Sequence, residues 1–210
     1  MGWRTQKGGR CEKCWLRLES CVCAELPKIQ NLLKVFVLLH PKEQWRTSNT
    51  GRLANLCLYN SEVELRTLEN LPDYQPRPYT QSEKVYVLFP TLDAEVLSPQ
   101  LGAKMIQENA TLLIPDGSWR QAGKMVAHIP ALKNSPAVKL PPLKFRSQYL
   151  LRRASDPTRI STIEAIAHSL AILENPEYLP LLLAAQSMVV TRTLKARGSY
   201  DRILKEMTDN

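Results

Sequence analysis

The sequence predicts an α/β fold, a mostly parallel sheet flanked by helices. Three observations predict it. Short apolar runs of strand length recur along the chain and alternate with segments of helical spacing. The runs 32–39, 84–90 and 111–115 are nearly continuous in apolar residues, as strands covered on both faces are. Each run closes on a proline or an acid, where a ladder can end.

In chain order, Leu32-Leu33-Lys34-Val35-Phe36-Val37-Leu38-Leu39 is the first core strand, ending at His40-Pro41. A long polar loop follows, and Leu53, Leu56 and Cys57 at helical spacing place a helix over 50–58. Val63-Glu64-Leu65-Arg66-Thr67-Leu68 alternates as a strand does, whereas the proline-rich stretch 72–78 is read as a loop that holds no helix. Strand 84–90 is followed by a helix near 100–109 and by the strand Thr111-Leu112-Leu113-Ile114-Pro115, which stops at Asp116. A helix over 120–128 and a short strand over 137–140 come next. Beyond Pro141-Pro142 the residues 161–207 read as helices, interrupted near Asn175-Pro176 and at Pro180.

At 210 residues and 44% hydrophobic, the chain buries the core of one good-sized domain with a small appendage. The expected division is residues 1–28 as a metal-binding knuckle and 29–210 as the main domain. With 28 Lys+Arg against 20 Asp+Glu the net charge is +8, which favours polyanionic partners such as nucleic acid. No apolar run approaches the roughly 20 residues that span a bilayer, and the first residues lack the apolar stretch of a signal peptide. The expectation is a cytoplasmic protein with no membrane partner and no obligate protein partner. In a reducing compartment its five cysteines are ligands or bystanders sooner than disulfide partners.

Cys11-Glu12-Lys13-Cys14, six residues, and Cys21-Val22-Cys23 supply four thiolates within a short segment. Two close pairs from tight turns suit a tetrahedral Zn²⁺, and four sulfurs close its coordination sphere, which marks a structural zinc. Unliganded cysteines, or a redox pair at Cys11 and Cys14, are the alternatives. Cys57 lies on the apolar face of its helix and reads as core.

Asp116-Gly117-Ser118-Trp119 is the chief candidate site: a strand that stops at an acid, turns on Gly and enters a helix puts polar groups at the carboxyl edge of the sheet, where open α/β folds bind ligands. Asp116 is either a reactive acid or a cap of the following helix, and Ser118 either shares that cap or bonds to substrate. Trp119 lines a pocket or packs in the core. The loop from His40 to Arg52 is dense in hydrogen-bonding side chains; Thr47, Ser48 or Asn49 would contact phosphate or cap the next helix. Ser161 to Glu164 reads as a capping box.

Together these segments resemble the DTW-domain family, the tRNA-uridine aminocarboxypropyltransferases of the wider SPOUT-like group. Cys11, Cys14, Cys21 and Cys23 look like the family's zinc cysteines, and His40-Pro41-Lys42-Glu43 with Arg46-Thr47-Ser48-Asn49-Thr50-Gly51 looks like its loop after the first strand. Asp116-Gly117-Ser118-Trp119 falls on its Asp-X-Thr-Trp signature, with Ser118 where the family has Thr. Related ribosomal-RNA aminocarboxypropyltransferases carry Ser there. Ser161-Thr162-Ile163-Glu164-Ala165 looks like its late Ser-Thr-X-Glu-Ala segment.

The resemblance implies a SPOUT-like fold with a C-terminal trefoil knot. It also implies transfer of the 3-amino-3-carboxypropyl group of S-adenosylmethionine to N3 of a tRNA uridine, in the variable loop as in the bacterial members, with release of methylthioadenosine. It points to Asp116 for the uridine proton, and to Leu88, Phe89, Pro90, Ile114, Pro115, Gly117, Ser118, Trp119, Ser161, Thr162 and Glu164 around S-adenosylmethionine. Glu164 would take its amino group if it is not only a cap. Arg46, Asn49, Lys144, Arg146, Arg152, Arg153 and Arg159 are the residues expected to face RNA, whereas the basic residues of the late helices read as a solvated face. A SPOUT-like RNA methyltransferase and a non-catalytic zinc-knuckle RNA-binding protein are the competing readings.

Overall fold

A computed structural model of the chain describes residues 9–66, 74–81, 83–142, 147, 149–151 and 159–201. Six strands form one sheet: β1 (Lys34–Leu39), β2 (Ser61–Leu65), β3 (Val85–Leu88), β4 (Glu95–Val96), β5 (Thr111–Asp116) and β6 (Ala137–Lys139). Their order is β2-β1-β5-β3-β6-β4, and every neighbouring pair is parallel. Helices α1 (Gly51–Cys57), α2 (Arg77–Thr80), α3 (Pro99–Gln107), α4 (Trp119–His128), α5 (Pro130–Lys133), α6 (Thr162–Leu173) and α7 (Tyr178–Ala196) connect and cover the strands.

The apolar runs are continuous because both faces of the central strands are covered. Successive side chains point to opposite faces. Val35, Val37, Leu112 and Ile114 pack with residues of α1, α3, α6 and α7, while Phe36, Leu38, Val87 and Leu113 pack with Met125 and Val126 of α4 and Leu132 of α5. Leu16, Val22 and Leu26 of the cysteine-rich segment join the first of these cores. Helix α3 comes so close to the end of α6 that a Cβ on Gly102 would lie 1.9 Å from the Leu173 carbonyl oxygen. Backbone cannot yield as a side-chain tip does, so Gly102→Ala is expected to lower stability by about 1–3 kcal/mol, read from the denaturation midpoint.

Two proline expectations are corrected. Helix α2 begins inside the proline-rich stretch, with Pro76 as its N-cap and Pro78 in its first turn. Pro180 does not interrupt the last helix; it is the third residue of α7. The first N–H groups of a helix have no intrahelical acceptor, so a proline there loses nothing. Strand β2 starts at Ser61, two residues before the alternating run, and the expected continuation to Leu68 passes out of the described residues. β4 and α5 were not expected. The knot depends on the path between β6 and α6, most of which lies outside the described residues.

Candidate active site at the carboxyl edge of the sheet

β1 and β5 lie side by side in register, Leu39 opposite Asp116, and the His40 N–H donates to the Asp116 carbonyl at 2.8 Å. From there the chain leaves β1 toward α1 on one face and leaves β5 toward α4 on the other. Adjacent strands whose connections depart to opposite faces form the crevice in which open α/β sheets bind ligands. Asp116 stands at its base. Odd-numbered residues of β5 donate toward β3, as Thr111 does to the Lys84 carbonyl at 2.7 Å. The donor that Pro115 lacks therefore falls beyond the last β3 pair, Val87 with Leu113, and removes no ladder bond.

The Asp116 side chain is 3% exposed and is held from two directions. Asn49 donates its amide N–H to Oδ2 at 2.5 Å, and the Thr162 hydroxyl donates to Oδ1. The orientation of Asn49 is fixed in turn, because its Oδ1 accepts the Arg52 N–H at 3.0 Å at the start of α1. Thr50 ties the same turn to α6 by accepting the Ile163 N–H on its hydroxyl at 3.3 Å. Thus the ends of β1 and β5 and the starts of α1 and α6 converge on one carboxylate. Arg52 adds positive field: burial lowers its guanidinium pKa and Asp116 opposes that lowering. An ionised carboxylate is an acceptor only, so a carboxylate held at the base of the crevice has the chemistry to take a proton from a reacting group.

Gly51 makes this approach possible. A Cβ there would lie 2.5 Å from Asp116 Oδ2 and 2.8 Å from a Val37 methyl. Gly51→Ala is expected to push α1 and Asn49 off Asp116, lowering turnover by at least tenfold with little loss of secondary structure. Steady-state kinetics beside circular dichroism would check it.

The cap question resolves in favour of Ser118. Its hydroxyl accepts the Gln121 N–H at 3.3 Å while its own N–H donates to Gln121 Oε1 at 2.7 Å, a capping box that leaves Asp116 out. Gly117 is wedged between Gln121 and His40. Trp119 is partly exposed, tilted against Phe89 at 6.1 Å between ring centroids, and the Arg159 guanidinium lies 5.7 Å from its centroid. Leu88, Ile114 and Pro115 are buried at the strand ends, and Pro90 is exposed.

Ser161 and Glu164 form the second capping box, at the start of α6. Glu164 is 1% exposed; burial would raise its pKa, but hydrogen bonds from the Ser147 hydroxyl and the Ser161 N–H, each 2.7 Å, hold it below the ordinary range. Gln186 donates to its other oxygen at 3.2 Å. Of the residues expected to face RNA, Asn49 instead supports Asp116, Arg159 stacks on Trp119, and Arg46 pairs with Glu43 at 3.4 Å. Lys144, Arg146, Arg152 and Arg153 lie outside the described residues. Lys124 and His128 are exposed, while Arg192, in the last helix, binds the Cys21 carbonyl and Glu25. Gln186 carries no sequence signal of its own, and Thr50, Gly51 and Arg52, though they fall in the loop singled out after the first strand, have roles that only the fold reveals.

The four sulfurs of Cys11, Cys14, Cys21 and Cys23 lie within 4.8 Å of one another, with Cys11–Cys23 at 3.6 Å and Cys14–Cys21 at 3.8 Å. A tetrahedron with 2.3 Å zinc–sulfur bonds has edges of about 3.8 Å, so the cluster has the geometry to hold a metal ion. A hydrogen bond from the Cys14 backbone brings the Cys11 thiol down to about 6, whereas burial pushes Cys14 and Cys23 up. Four thiolates this close would repel one another, and a cation among them would relieve that repulsion. The segment docks on the loop after β1: Trp15 meets Trp45 edge-on at 4.8 Å, and the Arg52 guanidinium lies 5.0 Å from the Trp15 centroid.

A family model described as the DTW domain matches residues 8–194. Among curated proteins, tRNA-uridine aminocarboxypropyltransferase 2 of Drosophila melanogaster is 28% identical over 175 residues, covering 79% of this chain and 67% of that protein. The Macaca fascicularis protein of the same name is 23% identical over 201 residues, covering 93% of this chain and 67% of that protein. A solved structure of the SAM-dependent rRNA:acp-transferase Tsr3 from Vulcanisaeta distributa aligns with a TM-score of 0.49 and 18% identity, over 86% of this chain and 100% of that one.

Proposed function

The chain belongs to the DTW-domain family, and from that membership together with the geometry of Asp116 we propose that it transfers the 3-amino-3-carboxypropyl group of S-adenosylmethionine to N3 of a uridine in tRNA. The observation that carries the reading is a buried carboxylate at the base of the strand-switch crevice, its orientation fixed by Asn49 and Thr162. N3 of the uridine attacks the carbon beside sulfur in the amino-acid arm. The C–S bond breaks, its electron pair stays on sulfur, and methylthioadenosine leaves. The N3 proton passes to Asp116. A sulfonium needs no acid to depart, so the demands on the protein are this proton and the aim of one carbon among three; such positioning is worth roughly 7–11 kcal/mol in favourable cases.

S-adenosylmethionine is assigned to the crevice formed by Leu88, Phe89 and Pro90, by Ile114 and Pro115, by Gly117 to Trp119, and by the Ser161-Thr162 turn. Glu164 is already engaged by Ser147, Ser161 and Gln186, so its part is the cap and not the amino group of the cofactor. Arg46 and Arg159, with Lys144, Arg146, Arg152 and Arg153, are assigned to RNA. Cys11, Cys14, Cys21 and Cys23 are assigned to a structural Zn²⁺, whose closed sulfur shell supplies no catalysis. Among the described residues no helix is long and apolar enough to cross a membrane.

Incubating the protein with S-adenosylmethionine and unmodified tRNA, then weighing nucleosides and by-product, tests the proposal. Methylthioadenosine with aminocarboxypropyl-uridine is expected. S-adenosylhomocysteine would mean methyl transfer and overturn it.

A further inference from the structure

We propose that Arg66 is a phosphate site, which takes a backbone phosphate of the RNA substrate next to the reacting uridine; the assignment rests on the tRNA reading above. Arg66 follows the last residue of β2, and its N–H donates to the Leu39 carbonyl at 2.9 Å, which fixes it beside the end of β1. The residue is 9% exposed, and its Nε has no hydrogen-bond partner. Among the described residues no carboxylate forms an ion pair with it. The acids of its own strand are taken, Glu62 by Lys34 and Arg77, and Glu64 by Arg77 and Tyr74.

Its other titratable neighbours are His40, on which the buried Glu43 also acts, and Tyr74. Burial lowers the pKa of His40 and the Arg66 charge lowers it further, so the imidazole is neutral, with Nδ1 accepting the Lys42 N–H at 3.2 Å. The Tyr74 phenol is pushed up by burial and by Glu64, and stays protonated. A guanidinium does not shed its charge. A buried charge without a partner is unfavourable in the protein alone, and an anion relieves it.

Position selects which anion. Arg66 extends the row of strand ends β2-β1-β5 that finishes at Asp116, two strand spacings away, or about 10 Å. That is the reach from a base to the phosphates of its own nucleotide. The strand ends assigned to S-adenosylmethionine, those of β3 and β5, lie on the far side of β1. An RNA phosphate is therefore favoured over the carboxylate of the cofactor. The fork of a guanidinium suits phosphate oxygens, and the net charge of +8 draws the chain to a polyanion.

The test compares the wild type with Arg66→Met and Arg66→Lys, measuring unmodified tRNA affinity across a salt series beside S-adenosylmethionine affinity and melting temperature. Arg66→Met is expected to weaken RNA binding about tenfold and to reduce the slope of log K against log salt by about 0.7–0.9, the contribution of one phosphate. Lys should recover part of the affinity. Cofactor binding should not change, and the Met variant should melt no lower than the wild type. RNA affinity and slope equal to wild type would overturn the assignment. So would a lowered melting temperature, which makes Arg66 a fold element, or weakened S-adenosylmethionine binding, which makes it a carboxylate site. A wild type that binds no RNA at any salt would instead fail the tRNA reading, and this assignment with it.

Discussion

Asp116→Asn is expected to lower kcat about 10²–10⁴-fold, the span of a lost general base, while S-adenosylmethionine and tRNA affinities stay within a few-fold of wild type. The substitution keeps size and shape, so the outcome turns on hydrogen bonds. Asn49 can donate only its N–H toward position 116, because its Oδ1 is committed to the Arg52 N–H. The new carbonyl must therefore face Asn49. The new NH₂ then faces the Thr162 hydroxyl, which can rotate from donor to acceptor. Both contacts survive in altered form, and the folding cost is about 1 kcal/mol, one hydrogen bond of ordinary strength. The chemical cost is far larger, since an amide takes no proton. Single-turnover rates with a parallel melting curve separate the two effects. A variant that melts near wild type and reacts within threefold of it would remove Asp116 from the chemistry.

That carboxylate was legible in the sequence, but its supports were not. The buried runs that became β1, β3 and β5 stand out because a parallel sheet covered on both faces leaves no polar alternation. Asp116 stands out because it ends one of them. The caps at Ser118 and Ser161 are local, written within four residues. Asn49 and Thr162 reach Asp116 across separations of 67 and 46 residues, and those contacts exist only because β5 inserts beside β1 and α6 packs over α1. Local pattern contains no such information. β4, two exposed residues, offers no apolar run at all. Arg66 read as one residue of an alternating strand, and nothing in that alternation marks a buried cation. Prolines 78 and 180 misled for the opposite reason: the local rule applies to helix interiors, and both residues sit in first turns.

Removing the metal from the cysteine cluster should cost stability and activity together. The protein as purified is expected to carry one zinc ion per chain by elemental analysis. Stripping it with a chelator, or replacing Cys14 by Ser, would remove the proposed cation from among four sulfurs that lie within 4.8 Å of one another. The segment around it is too short to fold alone, so its buried residues Leu16, Val22 and Leu26 lose their places in the shared core. At about 1.5–3 kcal/mol for each side chain and about 2–4 °C per kcal/mol for a chain of this size, the melting temperature should fall on the order of 10 °C or more. Activity should fall with it by a structural route. Trp15 rests on Trp45 and under Arg52, and the Arg52 N–H fixes Asn49, which fixes Asp116. The chain of contacts from sulfur to carboxylate passes through the loop after β1, so loosening the knuckle loosens Asp116. Tryptophan fluorescence should change as the Trp15–Trp45 pair separates, and zinc added back should restore fluorescence, melting temperature and rate in parallel. A stripped protein that melts lower yet turns over at the wild-type rate would break that chain at Trp15. In that case the knuckle would serve the fold without serving the site.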